Sequence, residues 1–534
     1  MLRRRLVACL VVTVTAAVAA TGLAQAGENP KEGKNDKKPP AGVLTLEAPM
    51  IAPVEEGVRV QPLITVGETL TTGYRFESIP DGIVVKKTGK RTADLYVNHE
   101  TSLVPFPVKS STVPTTLHDY TNALLSKLTI NTETPGVISG SYVIPHDANY
   151  QRFCSNFLVG EEHGFDRELI FTNEEASDFV FRTGVAWPAP MTEPPAEQAG
   201  VAVAYDVESG DYKSIYGMGR HNHENSVGIP GYDHPVVLSS DDTFSAPSSQ
   251  LYLYSAKDAD EVWDDEGTLY AFKSDVASVN DYGDLTVSGA VAGTFIPVPE
   301  NIAKGPQGPL ETWSNDNNVF QFIRLEDIAY DRTTPNVVYL ADTGEPRALP
   351  GDPRLVRGPS GTMGPYPNGR IFKLVLDEDD PLEVKSLSIL INGDAFPPGA
   401  LDSIHQPDNL ETTKRSLLIQ EDPGSHNQYA PPFGAGKTTA RIWRYDLHTG
   451  TLEVVARVNQ AADPVARLGA WESSGIVDAR ETLGPNWFFV DVQAPTLSLD
   501  RQILVPDGPD PDDLPEEVRE REGGQLLAIK IPGA

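Results

Sequence analysis

Three stretches of this chain repeat one design: VAVAYDVESGDYKSIYGM (201–218), GRIFKLVLDEDDPLEVKSLSILI (369–391) and ARIWRYDLHTGTLEVVARV (440–458). Each is an alternating apolar run, a D-x-x-[ST]-G or acidic-proline turn, and a second alternating run. Side chains two apart share one face of a strand, so the pattern predicts a β-hairpin. Hairpins repeated without helices between them predict an all-β fold built as a β-propeller, with long inter-strand loops because the spacing of the repeats is irregular. The 45 glycines, 45 prolines and 8% aromatic residues suit many short strands joined by turns. The closing QLLAIKIP (525–532) reads as a strand, either one that completes the first blade and closes the ring or a simple edge strand, and the acidic DGPDPDDLPEEVREREGG (507–524) before it reads as a solvated loop.

The N-terminus MLRRRLVACLVVTVTAAVAATGLAQAGENP joins three arginines to an apolar run ending in Ala24-Gln25-Ala26. That is the layout of a secretory signal peptide, residues 1–26, followed by a polar leader over 27–42 and one propeller domain over 43–534. No later run approaches the length of a membrane span, so a secreted, extracellular protein without stable membrane insertion, acting as a monomer, is expected. Arg3-Arg4-Arg5 permits the twin-arginine route, and ordinary secretion fits equally. Cleavage shifts the net charge from −32 to −35 and removes Cys9, which leaves Cys154 without an intramolecular disulfide partner. So negative a surface disfavours nucleic acid as a partner and suits a protein that holds cations.

Acidic motifs recur where apolar strands end: Asn98-His99-Glu100, Glu174-Glu175, Glu326-Asp327 and Glu421-Asp422. Taken singly, each is an ordinary solvated turn. Repeated around a propeller, they converge on the mouth of the central channel, where like charges repel unless cations neutralise them. Carboxylate oxygens suit calcium, whereas a soft thiolate beside carboxylates points to a transition metal, so Cys154 reads as a metal ligand. Arg220 and Arg324, both inside acidic motifs, are candidates to bind phosphate oxygens, with a salt bridge to a neighbouring glutamate as the alternative for each. Ser155 lacks an identifiable base. No Gly-x-Ser-x-Gly elbow, phosphate-binding Gly-x-x-x-x-Gly-Lys-[Ser/Thr] loop or His-Glu-x-x-His helix occurs.

In chain order, Ile79-Pro80-Asp81-Gly82, Asn98-His99-Glu100, Cys154-Ser155, Glu174-Glu175, Gly219-Arg220-x-x-His223-Glu224, Arg324-Leu325-Glu326-Asp327, Pro407-Asp408-Asn409 and Gln420-Glu421-Asp422 resemble the secreted PhoX-type alkaline phosphatases. The resemblance runs from about residue 70 to about residue 500. It implies a six-bladed propeller whose central iron and calcium site hydrolyses phosphate esters. Carried over by position, Cys154, Glu175, Glu224 and Glu326 match iron-side ligands, Glu421 or Asp422 completes the shell, and Glu174 and Asn98 match calcium-side donors. Asn173 stands where the family often has cysteine, and Leu325 where proline is common. The segment from Glu472-Ser473-Ser474-Gly475 to Gln493 is closer to phytase-like relatives. Two other functions use the same acidic motifs: a calcium-dependent propeller lactonase or esterase, and a non-catalytic calcium-stabilised binding propeller.

Overall fold

A computed structural model describes residues 39–104, 106–108, 115–182, 196–243, 249–348, 358, 364–424, 428–431, 436–504 and 516–534. The expected signal peptide and most of the leader lie outside these residues. From Pro39 onward the chain is one compact unit.

The three repeats form the hairpins their pattern predicts. Ala202–Asp206 pairs with Tyr212–Ile215, Arg370–Leu376 with Glu383–Asn392, and Arg441–Asp446 with Leu452–Val458, all antiparallel. The D-x-x-[ST]-G turns work through the aspartate. Asp206 Oδ1 accepts the backbone N–H of Glu208 and Ser209, and Asp446 Oδ1 those of His448 and Thr449, all at 2.9 Å. Gly210 and Gly450 then take φ of 79° and 72°, a region costly for a side chain with Cβ.

Each hairpin is the outer half of a four-stranded blade. Blade 1 runs Pro80–Lys87, Thr92–His99, Leu124–Asn131, Gly136–Ile144, and blade 2 runs Phe153–Val159, Leu169–Glu174, Ala202–Asp206, Tyr212–Ile215. Blade 3 is His223–Gly228, Val236–Asp241, Leu251–Ser255, Thr268–Ser274, and blade 4 is Leu325–Tyr330, Val337–Asp342, Arg370–Leu376, Glu383–Asn392. Blade 5 is Pro407–Thr412, Ser416–Glu421, Arg441–Asp446, Leu452–Val458, with Ile51–Pro53 added at its outer edge. Blade 6 is Ile476–Asp478, Trp487–Leu504, Glu516–Lys530 and, from near the other end of the chain, Arg59–Thr65. The first strands of the six neighbour one another in sequence order, and that of blade 6 returns to that of blade 1. The fold is a β-propeller.

Buried apolar clusters lie between consecutive blades, so each sheet is covered on both faces. Leu417 and Ile419 pack with Ile371 and Ile391 toward blade 4, while Leu418 between them packs with Phe488 and Val490 of blade 6. That is why such strands read as unbroken apolar runs, with neither face left to water.

Two expectations are corrected. The closing strand completes blade 6, where Val60 pairs with Ile529 and Thr65 with Gln525, and the ring is closed by antiparallel pairing of N-terminal with C-terminal strand. Residues 516–524, expected as part of a solvated loop, continue the strand beyond the blade. With Ala494–Leu504 they form an arm, and Glu516–Arg519 pairs in parallel with Thr115–His118. Short helices also occur, among them Glu300–Ala303 and Gln307–Asp316 between blades 3 and 4. Among the described residues no helix is long and apolar enough to cross a membrane.

Candidate metal centre

The propeller places equivalent positions of its blades at one end of the axis. The second residue of the first strand is Asp81 in blade 1, Cys154 in blade 2, Glu224 in blade 3, Glu326 in blade 4 and Asp408 in blade 5, with Glu472 just ahead of Ile476 in blade 6. The residue after the second strand ends at the same mouth. It is Glu100, Glu175, Asp242, Thr343 and Asp422 in blades 1 to 5.

Nine of these side chains form one connected set. Asp81, Glu100 and Cys154 bring ligand atoms within 4.8 Å of one another, as do Cys154, Glu175 and Glu224, then Glu224, Glu326 and Asp408, then Asp408, Asp422 and Glu472. Cys154, Glu224 and Asp408 each belong to two groups, so the set is continuous. Its thiol lies toward one end and the other end is carboxylate only.

Residues just before the first strands turn the chain toward the axis. Ile79, Arg152 and Gln406 occupy the same position in blades 1, 2 and 5 and have φ of 49°, 44° and 49°. For a β-branched residue such as Ile79 this is a strained conformation, one held by its surroundings. In blades 2, 4 and 5 the acid that ends the second strand fixes the same approach segment. Glu174 accepts the N–H of Gln151 at 2.7 Å, Asp342 that of Ile323 at 2.9 Å, and Glu421 that of His405 at 2.9 Å. Adjacent strand residues face opposite ways. In Glu174-Glu175 and Glu421-Asp422 the first residue therefore anchors the loop and the second reaches the axis.

This corrects three candidate ligands. Glu174 is fully buried away from the set and is ion-paired to Arg182 at 2.5 Å. Glu421 is held by Arg441 at 2.9 Å, the Tyr429 hydroxyl at 2.6 Å and Trp443 Nε1 at 2.7 Å. Asn98 donates to the carbonyls of Cys154 and Ser155 and accepts from the Thr172 hydroxyl. All three shape the site through the backbone and none joins the ligand set. Cys154, Glu175, Glu224, Glu326 and Asp422 are brought together, while Asp81, Glu100, Asp408 and Glu472 are ligand candidates that sequence reasoning missed. Asp81, Glu100, Asp408 and Glu472 all lie in motifs quoted above, and the signal that could have found them is their shared position relative to strand ends.

The two arginines separate. Arg324 lies in the set, bonded to Asp242 through Nε at 2.9 Å and Nη2 at 2.6 Å and to Glu326 at 3.0 Å. Arg220 is ion-paired with Glu197 at 3.2 Å and lies over the Tyr216 ring, outside the set. Ser155 donates its hydroxyl to Glu224 Oε1 at 3.0 Å.

The electrostatics call for cations. Burial, with mutual repulsion added, pushes the carboxyls of Asp81, Glu175, Glu224, Glu326, Asp408 and Glu472 well above the carboxylate range, and Glu100 up to about 7. Burial, then Asp81 and Glu224, raises the Cys154 thiol in the same way. Asp81 Oδ1 is buried without a hydrogen-bond partner. Eight carboxylates and a thiol around one guanidinium are a donor set suited to cations, hard along most of its length and soft at Cys154.

Two cavities adjoin the axis. One of about 370 Å³ is bordered by Glu100, Arg152 and Glu175 at the acidic mouth. Another of about 530 Å³ lies along the first strands toward their far ends, beside Asp327, Asn409 and Glu411.

Fold and site together define a β-propeller with an axial acid–thiol cluster. No protein-family model matches the chain, and no curated protein does. Among solved structures, the NanB sialidase of Streptococcus pneumoniae aligns over 88% of this chain and 70% of its own at 8% identity and a TM-score of 0.30. A putative dipeptidyl aminopeptidase IV of Bacteroides ovatus aligns over 84% of this chain and 48% of its own, at 9% identity and a TM-score of 0.25.

Proposed function

We propose that this chain is a secreted metal-dependent phosphomonoesterase of the PhoX type, acting at the axial cluster. The observation that carries this reading is the continuity of the four overlapping ligand groups through Cys154, Glu224 and Asp408. In this reading Cys154, Glu175 and Glu224 hold iron, and Asp408, Asp422 and Glu472 hold calcium. Cations held there would supply positive charge for a dianionic ester and would acidify water at the site. Hydrolysis adds water across the phosphorus–oxygen ester bond, and the departing alkoxide takes the proton. Arg324, steered by Asp242 and Glu326, presents its guanidinium to phosphoryl oxygens. The propeller holds these groups still, so that binding energy positions the ester for attack.

The carboxylate-only group Asp408, Asp422 and Glu472 also favours a second reading, a calcium-dependent lactonase or esterase. That reading leaves Cys154 without a role. Metal analysis with panels of chromogenic phosphate esters and lactones separates the two: iron with calcium and turnover of phosphate esters is expected, and calcium alone with lactone turnover would replace the proposal. Glu224→Gln and Glu326→Gln should each abolish phosphate-ester turnover, and the double variant should be hardly worse, since residues acting as a unit are non-additive. Multiplicative losses would mean that the two glutamates act independently.

A further inference from the structure

The cavity of about 370 Å³ shares Glu100 and Glu175 with the metal centre, so a group leaving the phosphorus has somewhere to sit. Beyond those two, the lining is acidic in an unusual way. Asp119, Glu520 and Glu522 come from the blade 1 connection and from the arm of blade 6, which parallel pairing with Thr115–His118 holds over the mouth. One arginine, Arg152, lines the cavity, ion-paired at 2.6 Å with Asp178, another lining acid, and acting on Glu100 and Asp119, so the acids outnumber it; Arg521 leads elsewhere, to Glu77 at 2.8 Å and Asp500 at 3.1 Å. Asn222 lines the same cavity at 7% exposure, and its Oδ1 has no hydrogen-bond partner.

The cavity thus presents acceptors and negative charge beside a site for a phosphoryl group. Among the described residues, no group of three ligands within 4.8 Å includes Asp119, Glu520 or Glu522, so these acids are too dispersed to chelate a compact metal ion. A primary ammonium, a donor-only cation with three N–H bonds on a flexible stem, matches separated acceptors. We propose that this cavity is a leaving-group subsite selecting phosphate monoesters of amino alcohols, with the ammonium received by Asp119, Glu520, Glu522 and Asn222. This rests on the phosphomonoesterase reading above.

The test compares 2-aminoethyl phosphate with propyl phosphate, which differs in having a methyl group where the ammonium stands. The metal-loaded protein at pH 8 should show a kcat/KM ratio of about ten to a hundred in favour of the amino ester, the span of charge-assisted hydrogen bonds. Glu520→Gln with Glu522→Gln should bring the ratio close to one, as should Asp119→Asn in part. A wild-type ratio near one, or a ratio that survives both changes, overturns the proposal. Calorimetry with the non-hydrolysable 2-aminoethylphosphonate and propylphosphonate keeps the two readings apart. If no phosphate ester is turned over, the phosphomonoesterase reading falls. A tenfold preference in phosphonate binding then still upholds the ammonium subsite, and equal or absent binding of the two overturns it.

Discussion

Glu421 and Asp422 are neighbours in sequence and should respond to neutralisation in opposite ways. Glu421 is fully buried and accepts from Arg441, Tyr429, Trp443 and the backbone of His405. Glu421→Gln keeps the volume but leaves the 3% exposed Arg441 without its counter-charge. Breaking a buried pair from one side costs about 3–5 kcal/mol. Several hydrogen bonds to the amide survive, so the lower end, about 3 kcal/mol, is expected whether or not metal is present. Asp422 accepts the N–H of Gly424 at 3.0 Å and shares its space with Asp408 and Glu472. Asp422→Asn removes one of three mutually repelling charges, so the metal-free protein should become more stable. The calcium-loaded protein should become less stable, because a ligand bound only to the folded state has lost an anionic donor. The assay is thermal and urea unfolding of both variants with EDTA and with saturating calcium. If the two substitutions shift stability in the same direction in EDTA, the division into anchoring and axial acids is wrong.

In metal-free protein Glu100, Asp119, Asp327 and Asp342 are pushed up to about 7, mainly by burial. A carboxyl with a folded pKa above its unfolded value stabilises the fold at low pH and loses that contribution as pH rises through the folded pKa. The buried His99, His163, His223 and His405, pulled down to about 4 by burial, act in the opposite sense, but their contribution is complete above about pH 6.5. These four carboxyls complete their loss near pH 7, while Asp81, Glu175, Glu224, Glu326, Asp408 and Glu472, held higher by burial and mutual repulsion, go on losing theirs above it. Metal-free protein should therefore lose stability as pH rises above about 6.5, where the histidines no longer offset the carboxyls, and regain it on adding calcium; a melting temperature that rises with pH there without metal would refute the assignment. Cys154→Ser should lose iron and its thiolate charge-transfer absorption while calcium binding persists at Asp408, Asp422 and Glu472; full iron content in that variant would make Cys154 a buried packing residue instead. Arg220→Ala should leave phosphate-ester turnover within about threefold, whereas Arg324→Ala should lower it by about a hundredfold, near the worth of a charged hydrogen bond. Steady-state kinetics on both variants checks this contrast.

The repeating alternation in 201–218, 369–391 and 440–458 was enough to predict hairpins and the propeller class, because strand formation and turn chemistry are local. The sequence also pointed to Glu175, Glu326 and the Glu421-Asp422 pair as acids at strand ends and to Cys154 as a lone thiol, and Glu224 entered through the family resemblance. It left the two members of each acidic pair undistinguished. Which one faces the axis depends on register against the neighbouring strand and on partners such as Arg441, which is 20 residues away, and Arg182. Asp81, Glu100, Asp408 and Glu472 become one site with Cys154 only when the ring closes, through pairing of Arg59–Thr65 with a strand more than 400 residues later. The arm that carries Glu520 and Glu522 was hidden for the same reason. Strands are stabilised by partners distant in the chain, and a stretch of acids reads as a loop until the edge that pairs with it is known.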